Sequence, residues 1–182
     1  MSLRGLTRAL LLALACGAAH AQPAAADAPR VLRYAFPVAE TGFDPAQISD
    51  LYSRTVIAGI IEAPLVFDFL ARPFKMKPNT LVAMPQISED FRTFTFQLKP
   101  GIHFADDPAF KGARRELVAQ DYVYSLKRHY DPRWNSPNLY RLEAVKILGL
   151  SELRQQVLKD KQPFPYDREV EGLRALDRYT LR

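Results

Sequence analysis

Thr93-Phe94-Thr95-Phe96-Gln97-Leu98-Lys99-Pro100-Gly101-Ile102-His103-Phe104 is the stretch on which the reading of this chain turns. From Thr93 to Leu98 apolar and polar residues alternate strictly, which sets Phe94, Phe96 and Leu98 on one face of a strand and Thr93, Thr95 and Gln97 on the other. Lys99-Pro100-Gly101 turns the chain, because proline presets φ for a turn and glycine accepts positive φ. Ile102 and Phe104 then resume the alternation. Further on, Tyr122, Leu126 and Tyr130 recur at four-residue steps within Val118 to Tyr130, which predicts an amphipathic helix. With strands and helices both signalled, the fold class is α/β in an α+β mixture.

Working upstream, Val31-Leu32-Arg33-Tyr34-Ala35-Phe36 is rich in branched and aromatic residues and predicts a strand, ended by Pro37. Thr41-Gly42-Phe43-Asp44-Pro45 makes a turn. Tyr52, Val56, Gly59, Ile60 and Ala63 predict a helix from Ser49 to Ala63, with Ser49 or Asp50 capping its first amides and Pro64 stopping it. Leu65 to Leu70 predicts a short strand. Downstream, Asp131 to Pro137 breaks the long helix, and a further helical pattern runs from Leu139 to Leu158 with an interruption at Gly149. A loop containing Pro163 and Pro165 follows. Leu173 to Arg182 reads as two strand halves around a turn, the second too short to complete a ladder, so the chain is expected to be the front part of a longer polypeptide.

Over its 182 residues the chain is 48% apolar, 25% charged and 11% aromatic, which excludes a disordered tail, a collagen and a disulfide scaffold. Its net charge is +5, and Arg4 and Arg8 supply two of those charges, leaving +3 for the rest. So small a surplus, spread among as many acids as bases, makes no continuous cationic stripe and speaks against nucleic acid as a partner. Arg4 and Arg8 precede an apolar run from Ala9 to Ala19 and the small-residue pattern Ala19-His20-Ala21, the order of a secretory signal cleaved after Ala21. The run is too short to span a bilayer comfortably, since a spanning helix needs about twenty apolar residues. Residues 1–21 are therefore an export signal, and 22–30, with no large apolar side chain, a flexible leader. Cys16 is the single cysteine; lipid anchoring through it fits poorly, because the leucine before it stands one position too late. Without Cys16 the exported product has no thiol for a disulfide, a zinc site or a nucleophile.

Beyond the signal, the histidines are His103 and His129, neither spaced for a zinc site, and Asp106-Asp107 reads as a solvated acidic loop. The sequence contains no nucleophile elbow, Walker loop or dinucleotide fingerprint, so no enzyme chemistry, metal or cofactor is indicated. Phe94, Phe96, Phe104, Tyr122, Tyr124 and Tyr130 could form a stacking platform, but their periodicity assigns most of them to the core. Lys127-Arg128 with Arg114-Arg115 could form an anion site; the plainer reading is a solvated face.

Taken in order, several blocks resemble the bacterial extracellular solute-binding proteins of family 5, the oligopeptide-, dipeptide- and nickel-binding components of ABC importers. They are Phe43-Asp44-Pro45, Ile61-Glu62-Ala63-Pro64-Leu65, Leu81-Val82-Ala83 with Pro85 and Ile87-Ser88-Glu89-Asp90, the stretch from Thr93 to Phe104, Val118 to Arg128, and Ala175 to Leu181. The resemblance implies a periplasmic binding protein fold of type II, two lobes closing about a hinge, of which only the amino-terminal part is present. It places 31–48 at the start of the split lobe, 49–170 in the smaller inserted domain, and 171–182 on the return to the split lobe. It implies a periplasmic receptor, monomeric at full length, that takes small peptides, passes them to permease subunits at the inner membrane and breaks no bonds. Nickel complexes, haem and opines stay open as cargo, and an exported enzyme or a sensory module are the competing classes.

In peptide-binding relatives the loop and helix start after Asp-Pro line the cleft, which here means Ile48, Ser49, Asp50 and Leu51. Plain helix capping explains Ser49 or Asp50 equally well. Relatives also show a ligand-facing aromatic after Ser-Pro, whereas Ser136-Pro137 is followed by Asn138, with Tyr140 two residues on. Asn138 and Tyr140 complete the candidate ligand site. Val118 stands where relatives carry a capping threonine.

Overall fold

The computed structural model describes residues 31–182. The expected signal, leader and Cys16 lie outside the described residues. The chain divides at Pro37 into two units. In the first, residues 31–36 form no strand, contrary to the sequence pattern, and Tyr34 meets Phe36 edge-on with ring centroids 5.3 Å apart. Side-chain propensity favours an extended backbone, but a strand exists only through ladder bonds to a partner.

The second unit, from Val38, carries helices α1 (Leu51–Ile57), α2 (Ala119–Tyr130), α3 (Leu139–Val145) and α4 (Leu150–Asp160). Its strands are β1 (Leu65–Asp68), β2 (Lys75–Pro78), β3 (Gln86–Ile87), β4 (Phe94–Gln97) and β5 (Thr180–Leu181). β4 lies between β3 and β5 in an antiparallel sheet, with Ile87 opposite Phe94 and Leu181 opposite Phe96. The Thr93–Leu98 pattern is thus realised, but its apolar face is graded. Leu98 is buried and Phe96 packs on the core, whereas Phe94 is largely exposed. Gly101 adopts φ of 81°, as the turn after Pro100 requires.

One core joins Leu81 and Leu98 to Val123 and Tyr130 of α2, to Leu150, Leu153 and Val157 of α4, and to Phe164, Val170, Leu173 and Leu181. On α2 the buried stripe is Ala119, Val123, Lys127 and Tyr130; Tyr122 and Leu126 lie on its flank. The sequence reading rotated this face because a lysine stands inside the buried stripe. Val118 offers no side-chain oxygen, and the Asp121 carboxylate instead accepts from the Val118 amide at 2.8 Å, which secures the helix start.

Gly149, at φ of 85°, separates α3 from α4, the break expected there. Gly172 is required for a different reason: a Cβ on it would sit 2.4 Å from the Leu148 backbone nitrogen. The carboxyl-terminal residues close as a hairpin, the amide of each of Arg174 and Arg182 donating to the other's carbonyl at 2.8 Å.

Two further readings need correction. α1 ends at Ile57 rather than Ala63, because Gly59 and Ile60 close tight bonds to Val56 and Ile57 and the chain leaves the helix, with Ile60 and Ile61 exposed. The strand at Leu65 pairs with β2, which the sequence pattern did not reveal; Leu65 faces Pro78 and Asp68 faces Lys75. Lys75-Met76-Lys77-Pro78 has one apolar residue between two lysines and a terminal proline, so its alternation is too short to read as a strand.

Candidate functional site

The turn after Pro37 meets α2 and the segment ahead of α3, about ninety residues away in the chain, and two attachments hold it there. Asp44 and Arg128 form a two-pronged ion pair, Nη1 to Oδ1 at 2.9 Å and Nη2 to Oδ2 at 2.5 Å, and the same guanidinium lies 4.6 Å from the centre of the Trp134 ring. Burial pushes the Asp44 carboxyl up, but the Arg128 guanidinium and the Ala46 amide outweigh it, leaving Asp44 below the usual carboxylate range. The second attachment is Asn138. Its Nδ2 donates to the Ile48 carbonyl at 2.9 Å and to the Pro45 carbonyl at 3.4 Å, while its Oδ1 accepts from Arg54 Nη2 at 2.9 Å. Ser136 Oγ, itself hydrogen-bonded to His129 Nδ1 at 2.8 Å, accepts from the Asn138 amide. Burial, followed by the neighbouring Arg128 charge, pushes the His129 pKa down against a weaker pull from Asp44.

The junction leaves a groove of about 490 Å³ lined by Ser49, Leu51 and Arg54 on one side and Pro137, Asn138, Tyr140 and Arg141 on the other. Four of the six candidate ligand residues therefore converge: Ser49, Leu51, Asn138 and Tyr140. The other two do not line the groove. Ile48 is only 4% exposed and packs inward toward Gly42. Asp50 caps α1, accepting from the Ser53 amide at 2.8 Å and from the Thr41 hydroxyl at 2.5 Å; bonds from Ser53 and then Thr41 hold its carboxyl far below the usual range. Arg54 and Arg141 were missed. Each lies three residues beyond a candidate, Leu51 and Asn138 respectively, so helical spacing alone would have added them.

Three of the four residues in the cationic pairs depart from the solvated face expected for them. Lys127 is 2% exposed, and its Nζ donates to the carbonyls of Tyr166 at 2.7 Å and Arg168 at 2.6 Å. Arg128 holds Asp44, and Arg115 closes on Asp121. Ion pairing thus replaces the solvated face for Arg115 and Arg128 and carbonyl bonds replace it for Lys127, while Arg114 is exposed as expected. Beside them Asp131, fully buried, accepts from Arg133 Nη2 and from the Tyr166 hydroxyl, each at 2.7 Å, and Trp134 Nε1 donates to the same hydroxyl at 3.0 Å. This network fixes the backbone that leads from α2 to the groove.

His103 Nδ1 hydrogen-bonds the Gly101 carbonyl at 2.9 Å, and Asp107 caps the short turn Pro108–Phe110 through the Ala109 amide at 2.8 Å. Among the described residues no three His, Cys, Asp or Glu side chains gather as a metal site would require. Of the six aromatics, Phe96, Tyr122 and Tyr130 belong to the core. Burial pushes the Tyr130 hydroxyl up to about 12.

Residues 75–182 match the model for the middle part of bacterial extracellular solute-binding proteins, family 5. Over 141 residues the chain is 32% identical to probable di/tripeptide-binding protein 5 of Pseudomonas aeruginosa, covering 76% of this chain and 26% of that protein. It is 28% identical over 138 residues to the periplasmic oligopeptide-binding protein OppA of Escherichia coli, covering 76% of this chain and 22% of that one. The chain thus spans about a quarter of the length of these relatives. Among solved structures, Haemophilus influenzae OppA in complex with the peptide RPPGFSPFR superposes with a TM-score of 0.59 at 22% identity, over 78% of this chain and 24% of that one. The pheromone receptor PrgZ does so with a TM-score of 0.54 at 22% identity and the same coverage. The fold is therefore that of part of a two-lobed solute-binding protein, as the sequence resemblance implied.

Proposed function

This chain belongs to the bacterial extracellular solute-binding proteins of family 5, and we propose from this that it builds one wall of a cleft receiving peptides for an ABC importer. The observation that carries the reading is the groove, where Ser49 and Leu51 meet Asn138 and Tyr140 across a long sequence separation. Ionic and amide clamps make that meeting rigid before any solute arrives, so binding does not have to order the wall. The relatives named for peptides strengthen the choice of cargo over nickel complexes, haem or opines. In this proposal 31–48 and 171–182 belong to one lobe and 49–170 to the smaller domain, the lobes close over solute, and the protein, monomeric, hands it to membrane permease subunits. It breaks no bond. Export follows the signal at 1–21 and delivers the protein to the periplasm.

Calorimetric titration of the full-length protein with di-, tri- and longer peptides, paired with small-angle scattering, tests the proposal. Saturable binding with a more compact scattering profile is the expected result. Peptides of every length giving neither binding nor compaction would overturn it.

A further inference from the structure

The groove carries two guanidinium groups and no carboxylate among its lining residues. Elsewhere four arginines are ion-paired, Arg115 with Asp121, Arg128 with Asp44, Arg133 with Asp131 and Arg178 with Glu116, while Arg72, Arg154 and Arg168 bond carbonyl oxygens. Among the described residues neither Arg54 nor Arg141 forms an ion pair. Each is nevertheless positioned. Arg54 gives one Nη2 bond to Asn138 Oδ1, which orients its fork and leaves its other donors without partners among the described residues. Arg141 gives Nε to the Tyr140 hydroxyl at 2.8 Å and lies 5.5 Å from the centre of that ring, which leaves its terminal nitrogens without hydrogen-bond partners among the described residues. Two oriented forks line one groove that has no carboxylate among its lining residues, and a planar carboxylate matches their donor geometry.

We infer that this groove takes a carboxylate of the bound solute against Arg54 and Arg141, so that the receptor favours cargo with an anionic group there. The inference rests on the peptide-binding reading above. Two sources share this chemistry: the α-carboxylate at the peptide's end, and an acidic side chain.

The test is calorimetry of the full-length protein with three probes: trialanine, trialanine amide, and Ala-Ala-Glu amide. Removing the anion is expected to weaken binding at least about tenfold, as the loss of a charge-assisted bond does. Preference for trialanine over its amide assigns the α-carboxylate, and preference for Ala-Ala-Glu amide assigns the side chain; either supports the inference. Arg54→Gln with Arg141→Gln should bring the three affinities within about twofold of one another. Arg141→Gln alone, at an exposed residue whose side chain bonds the Tyr140 hydroxyl, should remove part of the preference at an unchanged thermal midpoint. Equal wild-type affinity for all three probes overturns the inference and leaves peptide binding standing. A preference that survives the double substitution overturns it too, because the anion is then read elsewhere. Failure to bind any of the three overturns the peptide reading and this inference with it.

Discussion

The β1–β2 hairpin and the α2 region are comparably rich in large apolar side chains, yet they use them in opposite ways. In the hairpin Phe69 is 83% and Leu70 91% exposed, Phe74 and Met76 are exposed as well, and Phe67 meets Phe74 with ring centroids 4.4 Å apart. Its antiparallel ladder, that ring pair, an exposed Asp68–Lys77 ion pair and Leu65 at the edge of the core hold it. Around α2, by contrast, side chains from several separate stretches of chain are removed from water together, and Lys127 and Asp131 caught among them are paired, while the Tyr130 hydroxyl is buried without a hydrogen-bond partner among the described residues. Hydrophobic composition alone therefore does not locate stability; simultaneous burial from distant segments does.

Three measurements would break or sharpen that contrast. The largest effect is expected from Leu98→Ala, which empties a fully buried position between the sheet and α2. It should cost about 2–5 kcal/mol by chemical denaturation. A loss below about 1 kcal/mol would show that the core is not the source of cohesion.

A smaller effect should come with pH through His129. Its pKa is lowered in the folded protein, by burial first and by Arg128 second, so below the ordinary value of 6.5 the unfolded chain takes up the proton more readily. The stability linked to the neutral ring is present above that value and is lost as pH falls through the folded pKa. Denaturant midpoints should thus drop as pH is lowered from 7 toward 5, and His129→Gln should flatten the slope in that window. A slope unchanged by His129→Gln would assign the pH dependence to other groups.

The smallest effect is expected in the hairpin. Phe69→Ser should change the denaturation free energy by no more than about 0.5 kcal/mol, as substitutions at exposed positions do. A loss comparable to that of Leu98→Ala would mean that the hairpin face is covered in solution and would erase the distinction between the two regions.

The same contrast explains how far the sequence could be read. Lys99-Pro100-Gly101 and the alternation before it were legible, because turn chemistry and period are properties of neighbouring residues. The buried side of α2 was misplaced by one step because Lys127 sits in it, and its burial is possible only where the carbonyls of Tyr166 and Arg168 receive its ammonium. Asn138 looked like a departure from a pattern of aromatic ligand contacts. In the structure it clamps two segments and lines the groove they form.

From the sequence by itself came the class of fold, the family resemblance, the main helices and the central strand, and four groove residues, all carried by local spacing or by blocks in a fixed order. Tertiary structure alone decided that Ile48 turns inward, that Asp50 serves a helix end, that Arg128 seizes Asp44, and that Arg54 and Arg141 line one groove. Those outcomes depend on which charges and carbonyls distant segments bring within a few ångströms. Interaction energy between charged and polar groups falls off over that same short range, so linear spacing cannot encode it.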